Sequence, residues 1–467
     1  MDSPDRSKAE QAEHASTQSV ADTLSEADVA KLMRKVDFHV LPILFLIYIA
    51  SFLDRSNISN ALTMGLPQEL GLTGEQPNTA LAVFFVPYII FEIPSNLLMK
   101  RFSPHVWLSL CILGFGIVTL CQAFVQDYGG LLATRFFLGC CETGIAPGSL
   151  YLISFWYKRQ DAQKRFTVFL CSVIVASAFG GLLASAIAKM DGIRGISDWR
   201  WIFILEGILT ILIATTSFFF ISDFPTEASW LTEEEKAIVL RRTRSSETVS
   251  EGKVTGRDLA EFFKDPKNLL AAIMYFCIVT PLYAFAYFTP TIVRTLGYSV
   301  IQTQLHSVPP FAAALGMCLV LSYLSDRTDY RLPYLLFSST LIIPGLAILI
   351  TTPENFSVQY AGLCLACMGI YSASPLVLCW YLMNLEGHKQ RGIGAGWVVG
   401  FGNIGGILAP FLFLSKYAPY YHQGYLVCIG LAALGVVADL CYAALVLKER
   451  RRSHEDDGTD KMHALSL

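Results

Sequence analysis

The sequence predicts an all-α membrane protein in which twelve transmembrane helices form two six-helix bundles. Three observations carry that expectation. Apolar stretches of about 20 residues, the length a helix needs to cross a bilayer, recur along the 467 residues. Only 16% of the chain is charged and 53% is hydrophobic, with a mean hydropathy of +0.48, whereas a soluble domain carries roughly 25% charged residues. The third observation is a match between the two halves of the chain across its only long polar loop. So much apolar surface excludes a soluble enzyme, a nucleic-acid binder or a disordered scaffold. A net charge of −3 and a pI near 6.3 offer no footprint for nucleic acid.

In chain order, residues 1–37 are polar, lack the apolar core of a cleaved signal peptide and read as a cytosolic tail. A short amphipathic helix starting near Ser25 leads into the first span. Apolar length places the spans at 38–57, 79–99, 105–125, 129–153, 166–188 and 200–222, then at 268–292, 305–325, 332–351, 357–383, 392–414 and 424–447. The bundles are thus 38–222 and 268–448, with a cytosolic loop at 223–267 and a cytosolic tail at 449–467. Within the loop, Thr232-Glu-Glu-Glu235 has the form of a helix capping box. Lys and Arg set the orientation. With both tails and the even-numbered loops inside, 28 of the 35 face the cytosol, five face outward, and Arg55 and Arg135 lie within spans. Asn355-Phe-Ser357 would then be an outward glycosylation sequon.

The match between halves lies in the fifth and eleventh spans. Arg165 precedes Gly180-Gly-Leu-Leu-Ala184 by fifteen residues, and Arg391 precedes Gly405-Gly-Ile-Leu-Ala409 by fourteen. Paired glycines at similar depth, six spans apart, are the layout of a transporter built from parallel repeats. Glycines at 139, 144, 148, 180, 181, 402, 405 and 406 allow close helix approach. Prolines at 147, 281, 290, 309, 310, 375 and 410 mark kinks or breaks.

The twelve cysteines fall in apolar stretches, including Cys364-Leu-Ala-Cys367, and read as packing residues, so no metal or other cofactor is expected. The chain has no phosphate loop for ATP, no potassium-channel filter and no His-Glu-x-x-His zinc motif. It reads as a secondary carrier and not an enzyme.

Ionisable groups within spans are functional candidates because charge is costly in hydrocarbon. Asp54 and Arg55 lie in a polar run that continues to Asn60 without a turn signal before Gly65, which suits a helix face lining a water-filled cavity better than a snorkelling helix end. Arg135 and Glu142, seven residues apart, project from one face about 10 Å apart along the axis. They suit an anion and a proton respectively, or a structural charge pair. Glu92 reads as a gate or brace between bundles and Glu206 as a structural anchor of the sixth span. Asp439 is given no role, and Glu386 lies near the end of the tenth span. Tyr88, Ser374, Trp380, Asn384 and Asn403 are candidates to face a central cavity.

These residues resemble the major facilitator superfamily, specifically its anion:cation symporter family and the fungal allantoate/nicotinate permease branch. The resemblance runs from about residue 36 to 448. It is carried by Leu53-Asp-Arg-Ser-Asn-Ile-Ser-Asn-Ala61, Glu92-Ile-Pro-Ser-Asn96, Arg135-Phe-Phe-Leu-Gly-Cys-Cys-Glu-Thr-Gly-Ile-Ala-Pro-Gly148 and Trp199-Arg-Trp-Ile-Phe-Ile-Leu-Glu-Gly207, with Ser325-Asp-Arg327 and Gly402-Asn-Ile-Gly-Gly406. It implies Arg55 as carboxylate clamp, Asp54 and Glu142 as proton carriers and Arg135 as their charge partner. Arg55, Tyr88, Ser374 and Asn403 would contact substrate, and Glu92, Asp326 and Arg327 would gate. The superfamily's Asp-bearing loop between spans two and three is reduced here to Asn96-Leu-Leu-Met-Lys-Arg-Phe-Ser-Pro-His105, whereas Ser325-Asp-Arg327 keeps the acid.

The expected function is uptake of a small organic anion with protons by a monomer in the plasma membrane. The alternatives are an exporter of a secondary metabolite and a non-transporting nutrient sensor. The short C-terminal tail argues against the sensor.

Overall fold

The computed structural model describes residues 26–157, 159–244, 256–295, 297–328, 330–352, 355–385, 387–418 and 420–457. Glu386 lies outside them, as do most of the N-terminal tail and residues 245–255 of the central loop. The described chain is helical almost throughout. The first span is one 38-residue helix, Glu26–Thr63, so the expected tail helix and the span are continuous. The third is Pro104–Gln122, the fifth Arg159–Ile187 and the sixth Asp198–Phe220. The seventh is Pro266–Thr295, the ninth Leu332–Thr351, the tenth Phe356–Met383, the eleventh Gly387–Leu412 and the twelfth His422–Asp457. Asn355 caps the tenth span, its Oδ1 accepting from Val358 N at 3.3 Å, so the sequon asparagine also serves as a helix cap.

Three spans are interrupted, each by proline. The second runs as Gln76–Ala82 and Phe85–Arg101, the fourth as Tyr128–Glu142 and Ile145–Trp156, and the eighth as Val300–His306 and Val308–Thr328. Proline has no amide to donate four residues back, so Pro87 leaves the Val83 carbonyl free and Pro147 leaves that of Thr143 free. The backbone keeps right-handed helical angles at Val83, Phe84, Thr143 and Gly144, so each pair of pieces continues in one direction. Among the described residues eleven segments are long and apolar enough to cross a membrane. The second span is the exception, because its longer piece has 17 residues and carries Glu92, Lys100 and Arg101.

The expected repeat is visible in what the paired glycines touch. A Cβ on Gly180 would meet Leu53 of the first span, and one on Gly181 the Gln304 carbonyl of the eighth. At the matching places in the second half, Gly405 sits on Thr280 of the seventh span and Gly406 on Phe85 of the second. Each pair therefore packs one glycine inside its own bundle and the other across the interface. The fifth–eighth and second–eleventh contacts are counterparts under a six-span offset.

At the end remote from the tails the bundles are joined by a set of polar contacts. Arg294 donates to the Thr63 carbonyl, and Gln304 Nε2 donates to Thr63 Oγ1 at 3.0 Å. Asn78 Nδ2 donates to the Pro410 carbonyl at 2.6 Å, and Lys416 pairs with Glu75 at 3.2 Å.

At the tail end, the capping box forms as expected. Glu235 N donates to Thr232 Oγ1 at 3.2 Å, Thr232 N donates to Glu235 Oε2 at 3.0 Å, and the helix Glu233–Arg244 follows. The loop is strapped to the first bundle. Lys35 pairs with Glu235 at 2.7 Å, and Trp230 lies between the rings of His39 (4.2 Å) and Trp156 (5.3 Å). Burial acts to raise the Glu235 pKa, but hydrogen bonds from Lys35 and the Thr232 amide outweigh it and hold the carboxyl below its usual value.

Candidate functional site

The polar run of the first span packs in the middle of the molecule, and its two faces have different neighbours. One face carries Ser51 and Arg55. Arg55 Nε donates to Glu142 Oε1 at 3.1 Å, Nη2 donates to the same oxygen, and Ser51 Oγ adds a third bond to it at 2.5 Å. The other carboxylate oxygen of Glu142 has no partner among the described residues. Arg55 Nη1 donates to Tyr283 Oη at 2.7 Å, and Tyr283 donates in turn to Asn403 Oδ1 at 3.0 Å. This chain of bonds runs from the first and fourth spans to the seventh and eleventh, crossing between bundles. Arg55 is 2% exposed and Glu142 is fully buried.

The guanidinium is also faced by aromatic rings, Phe84 at 4.9 Å and Tyr88 at 5.0 Å, and ring faces attract cations. Proline-interrupted spans two and four create this arrangement. Gly139 gives room for the Phe84 carbonyl, and Thr143 Oγ1 donates to the Tyr88 carbonyl at 2.6 Å. The two rings are thereby held beside Arg55.

The fourth-span pair is on one buried face, as its spacing requires, but its charges do not meet. Arg135 Nη2 donates to the Arg55 backbone carbonyl at 3.2 Å, and its ring contact is Phe84 at 5.5 Å. Nε and Nη1 of Arg135 are without partners among the described residues. The counterion of Glu142 is Arg55.

The second face of the first span carries Asp54 and Asn57 toward the sixth span. Thr210 Oγ1 donates to Asp54 Oδ2 at 3.1 Å, and Asn57 Nδ2 donates to Glu206 Oε2. Asp54 is therefore separated from the cavity by its own helix.

A narrow cavity lies between the bundles, with Tyr88, Ser374 and Asn403 in its wall. Trp380 is not in that wall; it packs on Tyr442 at 4.8 Å. Asn384 ends the tenth span as its C-cap. Aliphatic side chains complete the cavity wall together with five further aromatic residues that are not foreseen from the sequence, Phe52, Tyr48, Tyr275, Tyr283 and Tyr371. Their signal is a set of tyrosines deep within spans, where a phenolic hydroxyl needs a partner.

The gating candidates are dispersed. Glu92 is 3% exposed, neither carboxylate oxygen has a partner among the described residues, and it abuts Gly400 of the eleventh span. Asp326 pairs with Arg331 at 2.6 Å, and Arg331 Nη1 also donates to Ser325 Oγ at 2.8 Å. Arg327 is exposed. Asp439 is buried in the twelfth span, far from the cavity wall in sequence and absent from its lining.

Two proline-modified helical bundles around a central cavity, with a buried Arg–Glu pair bonded to one of its wall residues, define a secondary transporter of the multi-pass membrane class. Residues 44–410 match the Major Facilitator Superfamily, and the chain belongs to that family. It is 33% identical over 418 residues to an uncharacterized transporter of Schizosaccharomyces pombe, covering 89% of this chain and 86% of the relative. It is 32% identical over 433 residues to the major facilitator-type transporter hxnP of Emericella nidulans, covering 91% and 87%. With the MFS-type transporter cnsO of Penicillium expansum it shares 30% identity over 442 residues, covering 92% and 85%. Its fold is that of the proton:xylose symporter XylE bound to 6-bromo-6-deoxy-D-glucose (TM-score 0.69, 16% identity, 86% of this chain and 95% of that one). It is also that of a bacterial homologue of the human lysosomal transporter Spinster, in an inward-facing and occupied conformation (TM-score 0.68, 15% identity, 87% and 97%).

Proposed function

We propose that this transporter imports a small organic anion together with protons, by alternating access. Its substrate would be a carboxylate or ureido acid of the nicotinate or allantoate kind, and its place the anion:cation symporter branch. The observation that most supports this reading is the buried Arg55–Glu142 pair beside the cavity, tied through Tyr283 to the opposite bundle.

A substrate carboxylate competes with Glu142 for the guanidinium. While Glu142 is ionised the pair is neutral, and adding an anion leaves uncompensated negative charge in a dry site, which is costly. Protonating Glu142 removes that competition and frees Arg55. Proton and anion then enter together and leave together. Tyr88, Ser374 and Asn403 hold the remainder of the substrate. Asp54 is a second proton carrier, and Arg135 is the positive charge that keeps these carboxylates tolerable inside the bundle. Glu92 at the second–eleventh contact gates the tail end, and so does the Asp326–Arg331 clasp with Arg327 beside it. Both termini and the central loop lie in the cytosol, the membrane is the plasma membrane, and the carrier works as a monomer.

The test is uptake of labelled nicotinate, allantoate, ureidosuccinate, pantothenate and biotin by transporter-deficient cells at acidic and neutral outside pH. An acid whose uptake rises with outside acidity, is lost in Arg55→Ala and loses its pH dependence in Glu142→Gln establishes the reading. If no acid accumulates although the protein reaches the cell surface, import of this class is wrong. The same geometry is then to be assayed for export.

A further inference from the structure

The face of the first span that turns away from the cavity has an unfinished hydrogen-bond pattern. Asn57 is fully buried and Glu206 is 2% exposed. Asn57 Nδ2 donates to Glu206 Oε2, while Asn57 Oδ1 and Glu206 Oε1, the second polar atoms of the same two groups, have no hydrogen-bond partner among the described residues. Both are acceptors when Glu206 is ionised, so they cannot satisfy each other. A proton on Glu206 Oε1 makes it a donor to Asn57 Oδ1. A carboxylic acid and a primary amide then form two parallel hydrogen bonds, and one proton satisfies both orphaned atoms.

The surrounding charges favour the same state. The first span contributes Asp54, one turn from Asn57 and buried. The third span contributes Thr119 and Gln122, buried and neutral, and the fifth no charge at this depth. Across the first span lie Glu142, Arg55 and Arg135. Three buried carboxylates thus share two guanidinium groups, and the cluster is one positive charge short of neutral.

We propose that Glu206 is a proton-binding site of this transporter, held as an acid–amide pair with Asn57 between the first and sixth spans. Losing that proton breaks the second hydrogen bond and sets two acceptors against each other. It thereby loosens the first span two residues from Arg55. The sixth-span acid therefore does more than anchor its helix. Its place in the transport cycle rests on the proton-coupled reading above; the existence of the protonated acid does not.

The test is infrared spectroscopy of the full-length protein in lipid, read at the carboxylic-acid C=O stretch. Wild type is expected to show an acid band at neutral pH that is missing from Glu206→Gln. That variant can fold because its side-chain amide offers Asn57 the same two hydrogen bonds. In Asn57→Leu the band should shift toward the frequency of an unbonded acid. An unchanged band in Glu206→Gln overturns the proposal. In cells, each coupled proton supports about tenfold accumulation per unit of pH gradient, so Glu206→Gln should lose about that factor for whichever labelled acid wild type takes up. A lost band with an unchanged accumulation ratio overturns the role in coupling. Uptake driven by sodium, with no Glu206-dependent band at any pH, overturns the proposal in favour of a metal cation. If wild type takes up none of the acids, the import reading fails while the band still decides the state of Glu206.

Discussion

Tyr283 of the seventh span accepts a hydrogen bond from Arg55 Nη1 at 2.7 Å and donates one to Asn403 Oδ1 at 3.0 Å. The charge that sits in one bundle is thereby read by two helices of the other. Removing the phenolic hydroxyl leaves the ring, which also packs on Phe85 at 4.8 Å, in place. A hydrogen bond to a charged group contributes about 1.5–3 kcal/mol. Tyr283→Phe is therefore expected to lower the transport rate about tenfold or more while the protein still folds. Kinetics of labelled-acid uptake, normalised to surface protein, check this.

Gly181 and Gly406 hold equivalent places at the two interfaces between bundles, against the Gln304 carbonyl and the Phe85 ring. A backbone carbonyl cannot move aside as a side chain can. Overpacking such a contact typically costs about 1–3 kcal/mol. Gly181→Val should destabilise closure of the end remote from the tails. The expected result is a transporter that binds but turns over slowly, with greater reagent access to a cysteine introduced at Thr63. Normal turnover in Gly181→Val would show that the interface opens wider than this arrangement implies.

Cys171 of the fifth span and Cys318 of the eighth lie with sulfurs 3.8 Å apart across the same interface. If the two bundles must separate here during each cycle, a bridge between these thiols stops transport. Mercuric ion, which binds two thiolates, should inhibit wild type, and excess dithiothreitol should restore it. Cys171→Ser and Cys318→Ser should each resist. Equal inhibition in both variants would place the sensitive thiol among the other ten cysteines.

The spans were legible because apolar length is a one-dimensional property, and the paired glycines because a repeat preserves spacing. The partner of Glu142 was not. Helical periodicity places Arg135 and Glu142 on one stripe, but says nothing about which neighbouring helix supplies the counterion. Arg55 fills that place, and Arg135 turns to a backbone carbonyl. Likewise Asp326 pairs with Arg331, five residues on and past the helix end, where no helix spacing applies. Apart from Tyr88, the tyrosines of the cavity are not legible in the sequence, because an isolated tyrosine in an apolar run looks like packing. Only the crossing of the seventh, tenth and first spans gathers Tyr283, Tyr371 and Tyr48 at one wall.

The strap of the central loop onto the first bundle gives a prediction whose sign follows from Glu235. Its folded pKa is depressed below the ordinary 4.5. Its contribution is therefore complete above that ordinary value and is lost as pH falls through the lowered one. Because the Lys35–Glu235 pair is partly exposed, Glu235→Gln should cost only about 0.2–1 kcal/mol. That loss should be seen at neutral pH and vanish in strong acid. Trp230→Ala should cost more at every pH, because it removes an indole stacked on both His39 and Trp156 without changing a charge. Limited proteolysis of the loop between Trp230 and Arg244, run across pH in detergent, separates the two. Glu235→Gln should accelerate cleavage at neutral pH and match wild type in acid, whereas Trp230→Ala should be cut faster throughout. Equal cleavage of Glu235→Gln and wild type at neutral pH would mean that stacking alone holds the strap.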